Sequence, residues 1–451
     1  MKQKIEKYFG IKEKGSSISI ELLAGLSTFM SLAYIVVVNP AILSEGGINR
    51  SAVFFATIVV SGLFTIIMGL KAKLPFALAP GLEMDAYVAF YVIAVLGFSW
   101  QQGLAIVFYS TLLFFILSVI KVKGKVIREE IINSIPNNMK HALAASVGMF
   151  LIMIGLKLSN IVSFEGATPT GIGDLAGKGA ITLYIGLLVI IILEKVLKFK
   201  GSILISIIAM AVYANAVGLV DEMEPAELSS EMFSAIGSFW SGLDVIKDPR
   251  SWAPILILFL VDFYGSVAKI IGLTVNTNIF PKDGSEDKKI RGGLFVDGFA
   301  ALASPIIGTS SVTTFVESSV GIKEGGRTGL TAVVTGLLLF SCFFLTPLIK
   351  YVPVVATSSA LIWVGLWLMP KGMIKLFDKD DTIWKGFLTG DRIILALMLF
   401  IVLFSFSLQY ALIIGYGGYV ILEIIKNKKA NVYLVASLII LILGTLAEYL
   451  A

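Results

Sequence analysis

The sequence predicts an all-α polytopic membrane protein of about fourteen transmembrane spans, arranged as two inverted repeats of seven. Three observations carry this reading. Hydrophobic residues make up 57% of the chain and charged residues 15%, with a mean hydropathy of +0.90, far from a soluble globular composition. Apolar runs of roughly 20 residues recur along the whole length, which suits helices crossing a ~30 Å hydrocarbon core. Two of these runs cannot cross unbroken: Ala77-Leu-Ala-Pro-Gly-Leu-Glu-Met-Asp-Ala-Tyr87 and Gly308-Thr-Ser-Ser-Val-Thr-Thr-Phe-Val-Glu-Ser318. Each is third in its half, and matched interrupted segments in two halves point to a central binding site, hence to a transporter.

The apolar runs are continuous rather than alternating, which excludes an outer-membrane barrel. The charged start, Met1-Lys-Gln-Lys-Ile-Glu-Lys7, lacks the apolar core of a cleavable signal peptide. The single cysteine, Cys342, lies in an apolar run and reads as a small buried hydrophobe. The net charge of +5 reflects loop bias; no basic stripe with interleaved aromatics suggests a nucleic-acid partner. No metal-ligand spacing, cofactor motif or nucleophile–base pattern marks an enzyme.

In order, the predicted spans are 20–39, 52–70, 77–98, 101–121, 138–158, 180–197 and 200–220, then a polar stretch from Asp221 to Pro249. The second set is 252–274, 289–305, 309–321, 327–348, 352–370, 391–406 and 409–426, with a further apolar segment at 432–450. Basic connectors at the N-terminus, Lys71–Lys73, Lys121–Arg128, Glu194–Lys200, Lys282–Arg291, Lys323–Arg327, Lys371–Arg392 and Lys426–Lys429 alternate with neutral or acidic ones. That pattern places the N-terminus in the cytoplasm. An odd number of spans per half makes the two halves run oppositely through the bilayer.

In the first broken segment, Leu78-Ala-Pro-Gly81 reads as extended chain. Glu83 and Asp85 then fall in the first turn of a new helix, where carboxylates complement the positive dipole end. They serve either as capping acids or as site residues. At membrane depth an ionised carboxylate costs at least ~2.5 kcal/mol, so both face the protein interior. In the second, Thr309, Ser310, Ser311, Thr313 and Thr314 precede Glu317. The hydroxyls either satisfy backbone groups freed at the break or meet a polar solute. Glu317 is a candidate for substrate binding or proton coupling. In the span at 252–274, Asp262, Ser266 and Lys269 share one helical face. Asp262 and Lys269 are about 10 Å apart by helix rise, too far for a direct bridge. The face either compensates its own charge through Ser266 or lines the site, with Asp262 as ligand or proton acceptor. His141, the only histidine, reads as an interfacial anchor.

Several of these segments resemble the xanthine/uracil permease family, and within it the adenine/guanine/hypoxanthine permease branch. The residues are Gly25-Leu-Ser-Thr-Phe-Met-Ser-Leu-Ala-Tyr34, Val38-Asn-Pro40, Leu78-Ala-Pro-Gly81, Ile135-Pro136, Val261-Asp262, Gly308-Thr-Ser-Ser-Val-Thr313, Glu317-Ser-Ser319 and Gly325-Gly-Arg-Thr-Gly329. The resemblance covers essentially the whole chain. It implies a core domain (20–121 and 252–348) that carries substrate past a gate domain (138–220 and 352–426) by an elevator-type movement. Spans 3 and 10 would each hold a short antiparallel strand followed by a half-helix. Its substrate carboxylates map onto Glu317 and, less cleanly, onto Asp262 or the position one turn later. Thr28 and the stretch from Glu83 through Asp85 to Ala86 would complete the pocket. The implied activity is proton symport of purine nucleobases across the cytoplasmic membrane, by a dimer formed through the gate domain.

The chain departs from the branch in two places. Glu83 and Asp85 stand where it carries glycine and asparagine. Gly265 stands at the position of a second acid, and Lys269 introduces a cation. A same-fold carrier of another polar or cationic solute is therefore an alternative, ahead of a channel or a non-transporting scaffold.

Overall fold

The computed structural model describes residues 2–122, 125–126, 137–165, 168–219, 230–275, 279, 286–376, 390–427 and 431–450. Ile135-Pro136, the acidic run from Asp221, and residues 282–285 and 377–389 of the basic connectors lie outside those residues.

An amphipathic helix α1 (Lys2–Phe9) precedes the first long apolar stretch, which divides into α2 (Ile18–Leu32) and α3 (Ile35–Ser44) around Ala33 and Tyr34. Ser17 caps α2 by accepting from the Ile20 amide, one of the orphan donors of any helix start. Pro40 lies inside α3, where it removes one backbone donor. Next come α4 (Arg50–Ile67), continued by a π-helical turn to Ala72, and strand β1 (Leu78–Pro80). The half-helix α5 (Leu82–Tyr87) continues as a π turn to Ile93 and is followed by α6 (Trp100–Val119). A reciprocal capping box between Ser99 and Gln102 opens α6.

A minimal hairpin β2 (Lys121–Val122) and β3 (Lys125–Val126) leads towards α7 (Asn137–Leu158). A hairpin of β4 (Val162–Glu165) and β5 (Thr168–Ile172) separates α7 from α8 (Lys178–Ile191) and α9 (Ser202–Ala216). The polar stretch after residue 220 contains a 3-10 helix over Ser238–Lys247. The reason is apolar: Phe239 is fully buried and packs on Phe108 of α6 at a 4.7 Å centroid distance.

The second half holds α10 (Trp252–Val275), α11 (Glu286–Ile307), strand β6 (Val312–Thr314), the half-helix α12 (Ser318–Lys323) and α13 (Gly329–Ser341). Then follow α14 (Ser358–Leu376), α15 (Gly390–Ser405), α16 (Leu408–Asn427) and α17 (Val432–Leu450). The last packs on α10 and α16.

Helices cross closely where glycines face one another. A Cβ on Gly329 of α13 would lie 1.9 Å from the Gly69 carbonyl oxygen, beside the second pair Gly62 and Gly336. Likewise Gly365 of α14 meets the Gly148 carbonyl of α7. Small residues let helices approach where burial in lipid supplies no hydrophobic drive. In one group α13 packs on α4 and α2, and α11 and α10 pack on α6. In another, α14 packs on α7, and α15 on α16. Among the described residues, six helices are long and apolar enough to cross a membrane. Outward-facing Leu188, Val212, Leu337 and Phe400 are exposed, as lipid-facing side chains require. The chain is an integral membrane protein.

The two broken segments meet at the centre. Strands β1 and β6 pair antiparallel, with Leu78 opposite Thr314, Ala79 opposite Thr313 and Pro80 opposite Val312. A two-stranded ribbon leaves backbone donors unpaired along its outer edges, and none can remain unpaired in a bilayer. Side chains from neighbouring elements fill those places. Thr65 accepts from the Leu78 amide at 2.9 Å, Ser318 from Ala77 at 2.9 Å, and Asp297 from Thr314 at 2.7 Å.

Candidate functional site

Strand β1 leads directly into α5 and β6 into α12, so both half-helices open beside the antiparallel ribbon. Glu83 stands in the first turn of α5, and Glu317 immediately precedes α12. The face of α10 that carries Asp262, Ser266 and Lys269 packs against β6 and α5.

Glu317 is 4% exposed, and its Oε1 accepts a 2.7 Å hydrogen bond from the Tyr34 hydroxyl. Among the described residues its Oε2 is buried with no hydrogen-bond partner. A buried carboxylate oxygen without a donor is costly, so this atom is where a ligand's N–H would be most welcome.

Lys269 does not pair with Asp262, as its helical distance foretold. It reaches across to Glu83, with Nζ 3.2 Å from Oε1, the two side chains 15% and 12% exposed. The two departures from the branch pattern therefore meet each other. Lys269 also lies 5.9 Å from the Phe315 ring centroid and within electrostatic range of Asp262, Asp297 and Glu317. Asp262 is held by Ser311 and by Ser266, the latter at 3.3 Å, and Ser266 meets Thr313 at 2.9 Å. Ser266 thus joins Asp262 to Thr313, and Lys269 links Glu83 to Asp262 and Glu317 through its charge.

Asp85, Thr314 and Thr28 lie to the flanks of this group. Asp85 is fully buried and accepts from Ser310. With its amide nitrogen turned toward Asp85, Asn39 donates to both carboxylate oxygens at 2.9 Å, and its oxygen faces the Thr57 and Thr309 hydroxyls. Asp85 thereby ties α3 to the loop before β6. Thr314 donates to Asp297 at 2.7 Å. Thr28 packs on Gly321 of α12, where an added Cβ would lie 2.2 Å from its hydroxyl oxygen. Ala86 is buried in α5. Among the described residues, a Cβ on Gly265, one turn before Lys269, would meet nothing within 4 Å.

Sequence reasoning gave no site role to Tyr34, Asn39 or Asp297. Asp297 was open to the argument applied to Glu317, a carboxylate inside an apolar span. Tyr34 and Asn39 carry no charge, and only the fold reveals that both turn inward.

Such a scaffold defines a class: a membrane transporter built around two crossed, strand-bearing half-helices. The transmembrane domain of the cyanobacterial bicarbonate transporter BicA shares the fold with a TM-score of 0.60 at 14% identity, over 85% of this chain and 96% of that one. The murine anion transporter Slc26a9 matches at a TM-score of 0.62 and 10% identity, over 94% of this chain and 72% of that one. Residues 19–410 match the profile of the xanthine/uracil permeases, described as a permease family, and the chain belongs to that family. It is 31% identical to the adenine permease AdeP of Escherichia coli, over 97% of this chain and 95% of that protein. It is 32% identical to the guanine/hypoxanthine permease PbuG of Bacillus subtilis, over 94% and 95%. A putative permease of Methanocaldococcus jannaschii is 32% identical over 99% of both. These relatives are transporters rather than enzymes.

Proposed function

We propose that this protein is a secondary active transporter of purine nucleobases, coupled to protons and working by elevator-type alternating access. The observation that carries the reading is the unpartnered Oε2 of Glu317, buried beside the crossed strands. A nucleobase is flat and neutral and presents N–H groups at its edge, and a carboxylate is the natural acceptor for them. The full-length match to named adenine and guanine/hypoxanthine permeases supports the same cargo class.

In this reading Glu317 accepts the base and, with Asp262, carries the coupled proton. Thr28, Glu83, Asp85, Ala86, Ser266, Thr313 and Thr314 shape and brace the pocket. The fourteen-span inverted repeat divides into a core (20–121, 252–348) and a gate (138–220, 352–426). Its packing into two helix groups, with glycine crossings between α4 and α13 in one and α7 and α14 in the other, supports that division. The protein sits in the cytoplasmic membrane with its N-terminus inside and pairs with a second copy through the gate. The cationic-cargo alternative loses its motive, because Lys269 neutralises Glu83 and Asn39 and Ser310 satisfy Asp85.

Uptake of radiolabelled adenine, guanine, hypoxanthine, xanthine and uracil into proteoliposomes, with and without a pH gradient, tests this. Accumulation of at least one purine, raised by an inward proton gradient, is expected. Uptake of none of the bases overturns the assignment.

A further inference from the structure

Similarity does not choose between the cargoes of the relatives: identity to the adenine permease is 31% and to the guanine/hypoxanthine permease 32%. The pocket itself carries a discriminating feature. From the Glu83–Lys269 ion pair and the open oxygen of Glu317, we propose that this chain recognises a lactam edge, an N–H beside a C=O, and so prefers 6-oxopurines to adenine. The proposal rests on the nucleobase reading above.

The argument is one of donors and acceptors. Glu317 presents one buried acceptor, Oε2, with no partner. A lysine ammonium has three donors. The Lys269 ammonium makes one hydrogen bond, to Glu83 at 3.2 Å, which leaves donors for a ligand. Among the described residues nothing lies within 4 Å of where a Cβ on Gly265 would sit, one turn away on the same helix, which leaves Lys269 open to approach on that side. A matching ligand brings an N–H to Glu317 and an acceptor to Lys269. A carbonyl oxygen, with two lone pairs and a large partial negative charge, suits an ammonium better than a ring nitrogen with one lone pair. A lactam N–H is also a stronger donor to a carboxylate than an aromatic amino group. The amidine edge of adenine offers both weaker partners.

Charge leads to the same ligand. Glu83 already balances Lys269, so the pair itself adds no net charge to the pocket and asks for no charged partner. The ammonium is held in place by Glu83, ready to polarise a carbonyl without the reorganisation a free lysine chain would need. A site built around a specific hydrogen bond rejects the analogue that lacks it far more strongly than an apolar pocket rejects a shape change.

Equilibrium binding of hypoxanthine and adenine to the full-length protein in nanodiscs is the test, because the two bases differ only at the edge in question. The wild type is expected to bind hypoxanthine at least about 10-fold more tightly than adenine, the worth of one good polar contact. The double variant Glu83→Gln/Lys269→Met, which removes the pair without stranding a charge, is expected to bring the ratio within about 3-fold while binding persists. Adenine bound as well as or better than hypoxanthine by the wild type overturns the lactam inference and leaves the nucleobase assignment standing. So does a ratio unchanged in the double variant. Absence of binding for both bases and for guanine overturns the nucleobase assignment and this inference with it. Should the double variant fail to fold, the wild-type ratio alone decides.

Discussion

The hydroxyl of Tyr34 donates a 2.7 Å hydrogen bond to Oε1 of Glu317 across 283 positions of sequence. It joins the break between α2 and α3 to the start of α12, and it leaves the other carboxylate oxygen open. In the proposed reading, Tyr34 thus sets which oxygen of Glu317 is left to meet the cargo. Tyr34→Phe is expected to weaken base binding by about 10-fold, since a hydrogen bond to a charged group contributes roughly 1.5–3 kcal/mol. Glu317→Gln should lower it by more, because the amide offers a donor where the cargo also donates. Equilibrium binding in detergent or nanodiscs measures both, and an unchanged affinity in Glu317→Gln would show that the carboxylate only braces α12.

The Glu83–Lys269 pair makes a separate prediction about stability. Removing one member of a buried ion pair leaves an uncompensated charge and costs about 3–5 kcal/mol, whereas replacing both is far milder. Glu83→Gln and Lys269→Met should each lower the thermal unfolding midpoint clearly, and the double variant should recover most of the loss. Additive losses would mean that the two groups do not depend on one another.

Much of this arrangement was legible in the sequence, and the physical reasons separate what was from what was not. The breaks at Leu78–Gly81 and Gly308–Thr314 announce themselves, since Pro, Gly and hydroxyl residues disturb a helix wherever they occur. Acids such as Asp262 and Glu317 stand out against apolar neighbours. The register that pairs Ala79 with Thr313 does not, because three-residue strands carry no period of their own. The partner of Lys269 was hidden for the same reason. Its helix offers Asp262 two turns away, but a long side chain crossing to α5 is decided by tertiary packing. The buried aromatic Phe239 inside a polar stretch also defeated a composition-based reading.

Helix crossing supplies a third prediction. The Gly329 Cα lies so close to the Gly69 carbonyl that an added methyl would sit 1.9 Å from the oxygen, with backbone atoms of Gly69 on every near approach. Gly329→Ala should therefore force α13 away from α4 and sharply reduce the yield of monodisperse protein. Gly417→Ala, whose Cβ would meet nothing nearer than 3.9 Å, serves as the control and should be silent. Size-exclusion chromatography after detergent extraction distinguishes the two.

Outside the spans, Arg250 pairs with Asp248 just ahead of α10, at 2.6 Å between Nη2 and Oδ2. Hydrogen bonds from the guanidinium hold the Asp248 carboxyl below the usual carboxylate range. A depressed folded-state value gives stability that is present above the unfolded value, near 4, and is lost as pH falls through the lower folded one. Both side chains are about one-third exposed, so solvent screening limits the pair to under about 1 kcal/mol. Arg250→Gln should lower the unfolding midpoint slightly at pH 7, and the difference from wild type should shrink as pH falls below about 4. A difference that grows on acidification would contradict the assignment.

The last prediction concerns movement. Lys200, in the turn before α9, forms an ion pair with Glu324 at the end of α12 and also reaches Ser27 of α2 at 3.3 Å. Gly201 beside it presses on the Met30 backbone, with a built Cβ 2.8 Å from that carbonyl oxygen. In the proposed division this is a contact between gate and core, so it must break if the core slides. A partly exposed pair contributes under about 1 kcal/mol, enough to bias a conformational equilibrium by a few-fold without locking it. Lys200→Glu and Glu324→Lys each place like charges in contact and should shift transport rate by about 3- to 5-fold. The charge-swapped double variant restores the attraction and should return the rate toward wild type. Base affinity should stay unchanged in all three, because neither residue touches the pocket cluster. A rate insensitive to every swap would mean that the two surfaces keep their contact throughout the cycle, which an elevator movement across that boundary does not allow.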